Sequence, residues 1–227
     1  MNILAVETSG REGSIALYRP GQETIEHLLA TEGRRHAQTL VADADALLGS
    51  QQLGPKDTNC VAVSIGPGSF TGLRVGVVFA KTFGWINKCP VVAVPTFDAI
   101  AAQVIETGSH IVVVGDAQRG ELFFCDYTRS DRGTEPASEV QILSVAAVRE
   151  RLHPDTVLTG PGLAKLRDQF EDDVCTIADP TRWIPRASTV AQLGAVALNT
   201  GKIADPWKLE PLYIRRSAAE EKRDASN

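Results

Sequence analysis

The chain has 227 residues, enough for one large domain or two small ones, and a fold of that size buries roughly 70 to 75% of its unfolded surface. Its 43% hydrophobic and 22% charged residues are ordinary globular usage, and the net charge of −5 argues against a chain that grips a polyphosphate backbone by itself. Cys60, Cys89, Cys125 and Cys175 are too scattered for a disulfide scaffold or a zinc site, and no apolar run is long enough to span a bilayer, so a reduced, cytoplasmic protein is expected.

Residues 3–6 read as a buried strand, 9–13 as a turn and 14–18 as a second strand, and 19–22 turn the chain into a third around 24–29. These three form an antiparallel meander. In 35–48 the apolar residues Leu40, Val41, Ala44, Leu47 and Leu48 fall at i, i+1, i+4, i+7 and i+8, the pattern of an amphipathic helix, ended by Gly49. A buried strand at 60–64, a helix at 71–86, a strand at 91–94 and a helix at 96–105 complete the first half.

The second half starts with strands at 111–115 and 121–127 around the turn Asp116-Ala117-Gln118-Arg119-Gly120, and 139–143 adds a third. Helix 145–152, strand 156–159, the turn Gly160-Pro161-Gly162 and helices 163–170 and 189–199 follow. Both halves therefore run from strands into helix–strand alternation, which describes an α/β protein with mixed sheets flanked by helices. The expected division is a first lobe at 1–102, a second at 103–216, and a charged tail at 217–227 too polar to pack.

The most informative stretch is Ser64-Ile65-Gly66-Pro67-Gly68-Ser69-Phe70-Thr71-Gly72-Leu73-Arg74, where a glycine and hydroxyl loop joins an apolar strand to an apolar helix. It lacks the lysine of a P-loop, so it reads either as a capped tight turn or as an anion site built from Gly68, Ser69, Thr71 and Gly72. In the helix that follows, only Arg74 and Lys81 share a polar direction, which leaves an apolar sweep of roughly 200°. Gly72, Gly76, Ala80 and Gly84 recur every four residues, and the interior Gly76 and Gly84 cost about 2 kcal/mol of helix propensity. Small residues let another helix approach closely, and that helix is either 35–48 of the same chain or part of another subunit.

The four histidines, His27, His36, His110 and His153, are far apart, and no His-x-x-x-His or His-Glu-x-x-His occurs, so a metal site and a metalloprotease have no support. Glu7-Thr8-Ser9, Asp116 and Gly160-Pro161-Gly162 lie after predicted strands, where a two-lobed nucleotide cleft has its loops. Carboxylates there are more often turn formers than catalysts.

The run Gly66-Pro67-Gly68-Ser69-Phe70-Thr71-Gly72-Leu73-Arg74-Val75-Gly76 resembles the signature of the TsaB family, formerly called YeaZ. Leu4-Ala5-Val6-Glu7-Thr8-Ser9, His36, Asp116-Ala117-Gln118-Arg119-Gly120-Glu121-Leu122 and Leu209-Glu210-Pro211-Leu212-Tyr213-Ile214-Arg215 add to the resemblance. It implies a two-lobed actin-like fold, of the sugar kinase, actin and heat-shock chaperone type, and a part in making threonylcarbamoyladenosine beside the anticodon of tRNAs that read codons beginning with A. In this picture TsaD carries the catalysis, and a TsaB chain is its non-catalytic partner, which recruits the ATPase TsaE.

The resemblance further implies that ATP and metal are held by the partner subunits, that tRNA is met through the complex, and that the chain forms a homodimer when alone. TsaD resembles a metal enzyme with two helix-borne histidines, whereas here His36 is followed four positions later by Leu40. Glu7 stands where the family commonly has Asp. The expected partner surface is His36, Leu40, Ala44 and Leu47 on the first helix with Leu73, Gly76, Val77, Ala80 and Gly84 on the second. On that expectation Gly76→Leu blocks the partner and leaves the lobe folded. The competing reading is an actin-like ATPase or small-molecule kinase that uses Glu7, Asp116 and the glycine turns.

Overall fold

A computed structural model describes residues 1–29, 36–105, 109–131, 133–170 and 175–215. The first half contains β1 (Ile3–Glu7), β2 (Ser14–Tyr18), β3 (Ile25–Leu28), α1 (His36–Ser50), β4 (Cys60–Ser64), α2 (Phe70–Asn87), β5 (Val91–Val94) and α3 (Thr96–Ala101). The second contains β6 (His110–Asp116), β7 (Glu121–Ser130), β8 (Gly133–Pro136), β9 (Gln141–Ser144), α4 (Val145–Arg149), β10 (Thr156–Thr159), α5 (Leu163–Leu166), β11 (Thr176–Ile177) and α6 (Ala187–Asn199).

The first sheet has the order β3-β2-β1-β4-β5 and the second β11-β10-β6-β7-β8, with β9 also paired to β7. β1 to β3 are antiparallel, and β4 and β5 join parallel to β1. The second sheet repeats the plan: β6 and β7 are antiparallel, and β10 and β11 continue in parallel from β6. The two halves thus carry the same strand order, as the repeated pattern of the sequence predicts.

β8 and β11 were not legible in the sequence. β7 is ten residues long, and its edge is shared, with β8 pairing Tyr127 to Ser130 and β9 pairing Glu121 to Phe124. Gly133-Thr134-Glu135-Pro136 has no apolar alternation; its pairing is imposed by the neighbour. Helix 163–170 is a short α-turn followed by a 3-10 turn at Arg167–Gln169, and α3 ends earlier than expected.

Every residue of β1 and β4 is buried, as expected of strands covered on both faces. Alternation divides them cleanly. Leu4, Val6, Val61 and Val63 face α1 and α2, while Ile3, Ala5, Cys60 and Ala62 face α6. The α6 face is lined by alanines, and a Cβ on Gly194 would stand 2.6 Å from the Ala62 methyl, so that helix lies close on the sheet. Although α6 follows the second sheet in the chain, it packs on the first, against β1, β2, β4 and β5.

The second core is built on Ile111, Val113, Leu122, Phe124, Val157 and Leu158, and α3 adds Phe97 and Ile100 to it. Tyr127, fully buried, donates to Asp98 Oδ1 of α3 at 2.8 Å. Burial pushes the Asp98 carboxyl up, and this hydrogen bond draws it back toward the ionised form. Tyr127→Phe leaves the carboxylate without that donor. We expect a loss of about 1–3 kcal/mol, read from urea unfolding; an unchanged midpoint counts against the contact.

Candidate functional site

The loops that follow β1, β4, β6 and β10 all leave the carboxyl ends of their strands, the usual side for ligands in open α/β sheets. Behind β1, the Glu7 carboxylate is fully buried and accepts from the Ser9 amide. The loop behind β4 is packed onto this turn: the Ser69 amide donates to the Ser9 carbonyl at 2.6 Å, and Thr8 Oγ1 donates to the Gly72 carbonyl at 2.8 Å. Ser69 is the N-cap of α2, its hydroxyl accepting from the Gly72 amide at 3.3 Å.

Of the residues predicted for an anion loop, Ser69 is therefore used as a cap. Gly68 and Gly72 are required by packing, since a Cβ there would lie 2.6 Å from the Ser9 carbonyl oxygen and 1.9 Å from that of Thr8. Gly68, Ser69 and Thr71 are exposed. In the second lobe, the Lys165 ammonium sits 2.7 Å from Asp116 and, with the Gln118 amide, holds that carboxyl below the usual carboxylate range. Both side chains are well exposed, so the pair adds little stability. The Gly160-Pro161-Gly162 turn closes on β6, where the Gly162 amide donates to the Val114 carbonyl at 3.0 Å.

The partner-surface expectation is corrected residue by residue. Leu40, Ala44, Leu47, Leu73, Val77 and Ala80 are at most 3% exposed, and Gly76 and Gly84 are buried too, so all eight serve the chain's own core. The side chain of His36 lies outside the described residues. The physical reason is the glycine row: a Cβ on Gly76 would stand 2.4 Å from Thr8 Oγ1, and one on Gly84 2.6 Å from Val91 Cγ2. The notches in α2 admit the chain's own strands, so Gly76→Leu strikes the fold before it reaches any partner.

What α2 leaves bare is the opposite flank. Val78, Trp85 and Ile86 are 61%, 69% and 63% exposed, and Val41 on the outer side of α1 is 70% exposed. The sequence pattern hides this flank, because Val78 and Trp85 stand four residues after Arg74 and Lys81, in the polar direction of the helix. The signal that could have found it is bulk: Trp85 cannot serve a close helix approach, and it stands seven residues, nearly two turns, after Val78.

Arg74 is held by aromatics. Its guanidinium lies 3.9 Å from the centre of the Phe70 ring, and its Nε donates to the Tyr213 hydroxyl at 3.0 Å. The cysteines are free thiols; burial, with Cys89 nearby, pushes Cys60 up to about 12, which makes it an inert core residue. Among the described residues no three His, Cys, Asp or Glu side chains are grouped to hold a metal ion. No helix there is long and apolar enough to cross a membrane.

Two lobes with one repeated strand order, and loops gathered at the carboxyl ends of their parallel strands, define a two-lobed actin-like protein. A family model described as "TsaD: tRNA N6-adenosine threonylcarbamoyltransferase" matches residues 29–223. The chain is 29% identical to the tRNA threonylcarbamoyladenosine biosynthesis protein TsaB of Bacillus subtilis, over 98% of this chain and 97% of that one. It is 36% identical to an uncharacterized protein of Mycobacterium tuberculosis strain H37Rv, over 96% and 93% of the two chains. The fold is similar to that of YeaZ from Pseudomonas aeruginosa, with a TM-score of 0.78 at 24% identity, covering 94% of this chain and 99% of that one. The chain belongs to this family and, within it, to the TsaB (YeaZ) group.

Proposed function

We propose that this chain is a non-catalytic scaffold subunit of the complex that adds threonylcarbamoyl to the adenosine next to the anticodon of tRNAs reading codons that begin with A. It pairs with TsaD through the helices of the first lobe and recruits TsaE. ATP and metal belong to the partner subunits, tRNA is met only through the complex, and the chain pairs with itself when TsaD is absent. The work is done in the cytoplasm.

One observation carries this reading: the bare apolar flank of α2 formed by Val78, Trp85 and Ile86. Water gains nothing from these side chains, and a tryptophan in such a place is the usual anchor of a protein interface. The replacement of a second helix histidine by Leu40 supports the non-catalytic part, because a leucine offers no ligand atom. Gel filtration with the TsaD of the same organism tests the pairing, and co-elution is expected. Separate elution at micromolar concentration defeats it. Calorimetry of the isolated chain with ATP and magnesium tests the rest: heat from continuing turnover would move the case to an actin-like ATPase or small-molecule kinase.

A further inference from the structure

Residues 209–215 run from one lobe to the other. On the first lobe, the Lys81 ammonium of α2 donates to the Leu209 carbonyl at 3.2 Å, and the Leu212 amide donates to the Ile65 carbonyl at 2.7 Å. The Tyr213 ring packs at 4.8 Å on Phe70, and its hydroxyl accepts from Arg74. Two residues later the chain reaches the second lobe, where the Arg215 guanidinium donates to the Ala117 carbonyl at 2.5 Å and pairs with the Glu121 carboxylate. Both acceptors flank the turn between β6 and β7.

We propose that this segment is a clasp that sets the separation of the two lobes, with Arg215 as its bolt. The first lobe offers it a built seat: a Cβ on Gly66, in the loop after β4, would already stand 3.0 Å from the Leu212 carbonyl oxygen. The bolt is well made. Its side chain is 20% exposed, and it spends its guanidinium on a carbonyl and a carboxylate of the same turn, a charge-assisted fork that a lysine could not reproduce.

The lobes are also joined through α3 and the residues just after it. There Tyr127 donates to Asp98, Arg182 donates to the Gln103 carbonyl at 2.9 Å, and the Gln103 amide donates to the Ile184 carbonyl at 2.9 Å. With α3 tied in this way, and with α6 leaving the second lobe to pack on the first sheet, cutting the clasp leaves these two links as the hinge about which the loops after β4 and β6 part. The inference goes beyond the scaffold reading and stands apart from it, because the isolated chain shows it without any partner.

The test is electron–electron distance spectroscopy on the full chain. Spin labels are placed on cysteines introduced at the exposed Glu12 and Asp168, with Cys89 and Cys175 replaced by serine. Arg215→Ala removes both guanidinium bonds and is expected to lengthen and broaden the distance distribution, raising the open population about tenfold or more. Glu121→Ala has a smaller effect in the same direction, because the Ala117 carbonyl still holds the guanidinium. Adding it to Arg215→Ala changes nothing further. Circular dichroism confirms that each variant is folded at the temperature used. An unchanged distribution in folded Arg215→Ala overturns the clasp, and so does an additive double variant.

Discussion

Trp85→Asp is expected to abolish co-elution with TsaD while the isolated chain keeps its melting temperature within a few degrees. Trp85 is 69% exposed on the last turns of α2, so its loss removes little from the chain's own core. At an interface the same side chain would be covered, and an aspartate in its place would be a buried, unpaired charge. Truncation of such an anchor costs about 2 kcal/mol or more, a thirtyfold or greater rise in Kd, and the charge adds to it. Trp207→Asp is the control. That residue is 80% exposed but lies beyond α6 rather than on α2, and its replacement should leave the affinity as it was. Should Trp85→Asp bind TsaD with parental affinity, the α2 flank is not the docking surface.

Gly72→Ala is expected to cost about 3 kcal/mol or more, measured by urea unfolding, though it adds one methyl group to a chain of 227 residues. The added Cβ would stand 1.9 Å from the Thr8 carbonyl oxygen, at the end of a strand paired on both sides. Neither neighbour of β1 can shift without disturbing the sheet, so the strain falls on the whole first lobe. Gly76→Leu meets Thr8 Oγ1 and Val63 in the same way and should unfold the lobe too. By contrast, Gly49 near the end of α1 has nothing within 4 Å of its would-be Cβ, and Gly49→Ala should stabilise by up to about 1 kcal/mol. Parental stability in Gly72→Ala would show that α2 does not press on Thr8.

The site was only partly legible. The loop from Gly66 to Gly72 stood out because its glycines are dense, but density alone does not say what fills the space they leave. Ser9 fills it at Gly68 and Thr8 at Gly72, about sixty positions away in the chain. The same holds for α2 as a whole. An apolar sweep of roughly 200° reports that the helix is covered on more than one side, without saying which side belongs to which neighbour. Small residues fit a close partner of either origin, and here the origin is internal. The run from Leu209 to Arg215 stood out in the sequence, but nothing local says what Arg215 binds, because its acceptors lie 94 and 98 residues earlier.

By itself the sequence determined most of the elements and the kinship. Short continuous apolar runs make Ile3–Glu7, Ser14–Tyr18 and Cys60–Ser64 buried strands, helical spacing makes α1, α2 and α6, and the repeated order of strands announces two like lobes. These are local properties, fixed by backbone geometry and by which side chains avoid water, so they can be read within a short window. Tertiary structure alone decided which flank of α2 turns inward, that α6 returns to the first sheet, and that Arg215 fastens the second lobe to the first. Those choices rest on contacts between residues far apart in the chain, where one methyl group or one guanidinium selects among faces that the apolar pattern leaves equivalent.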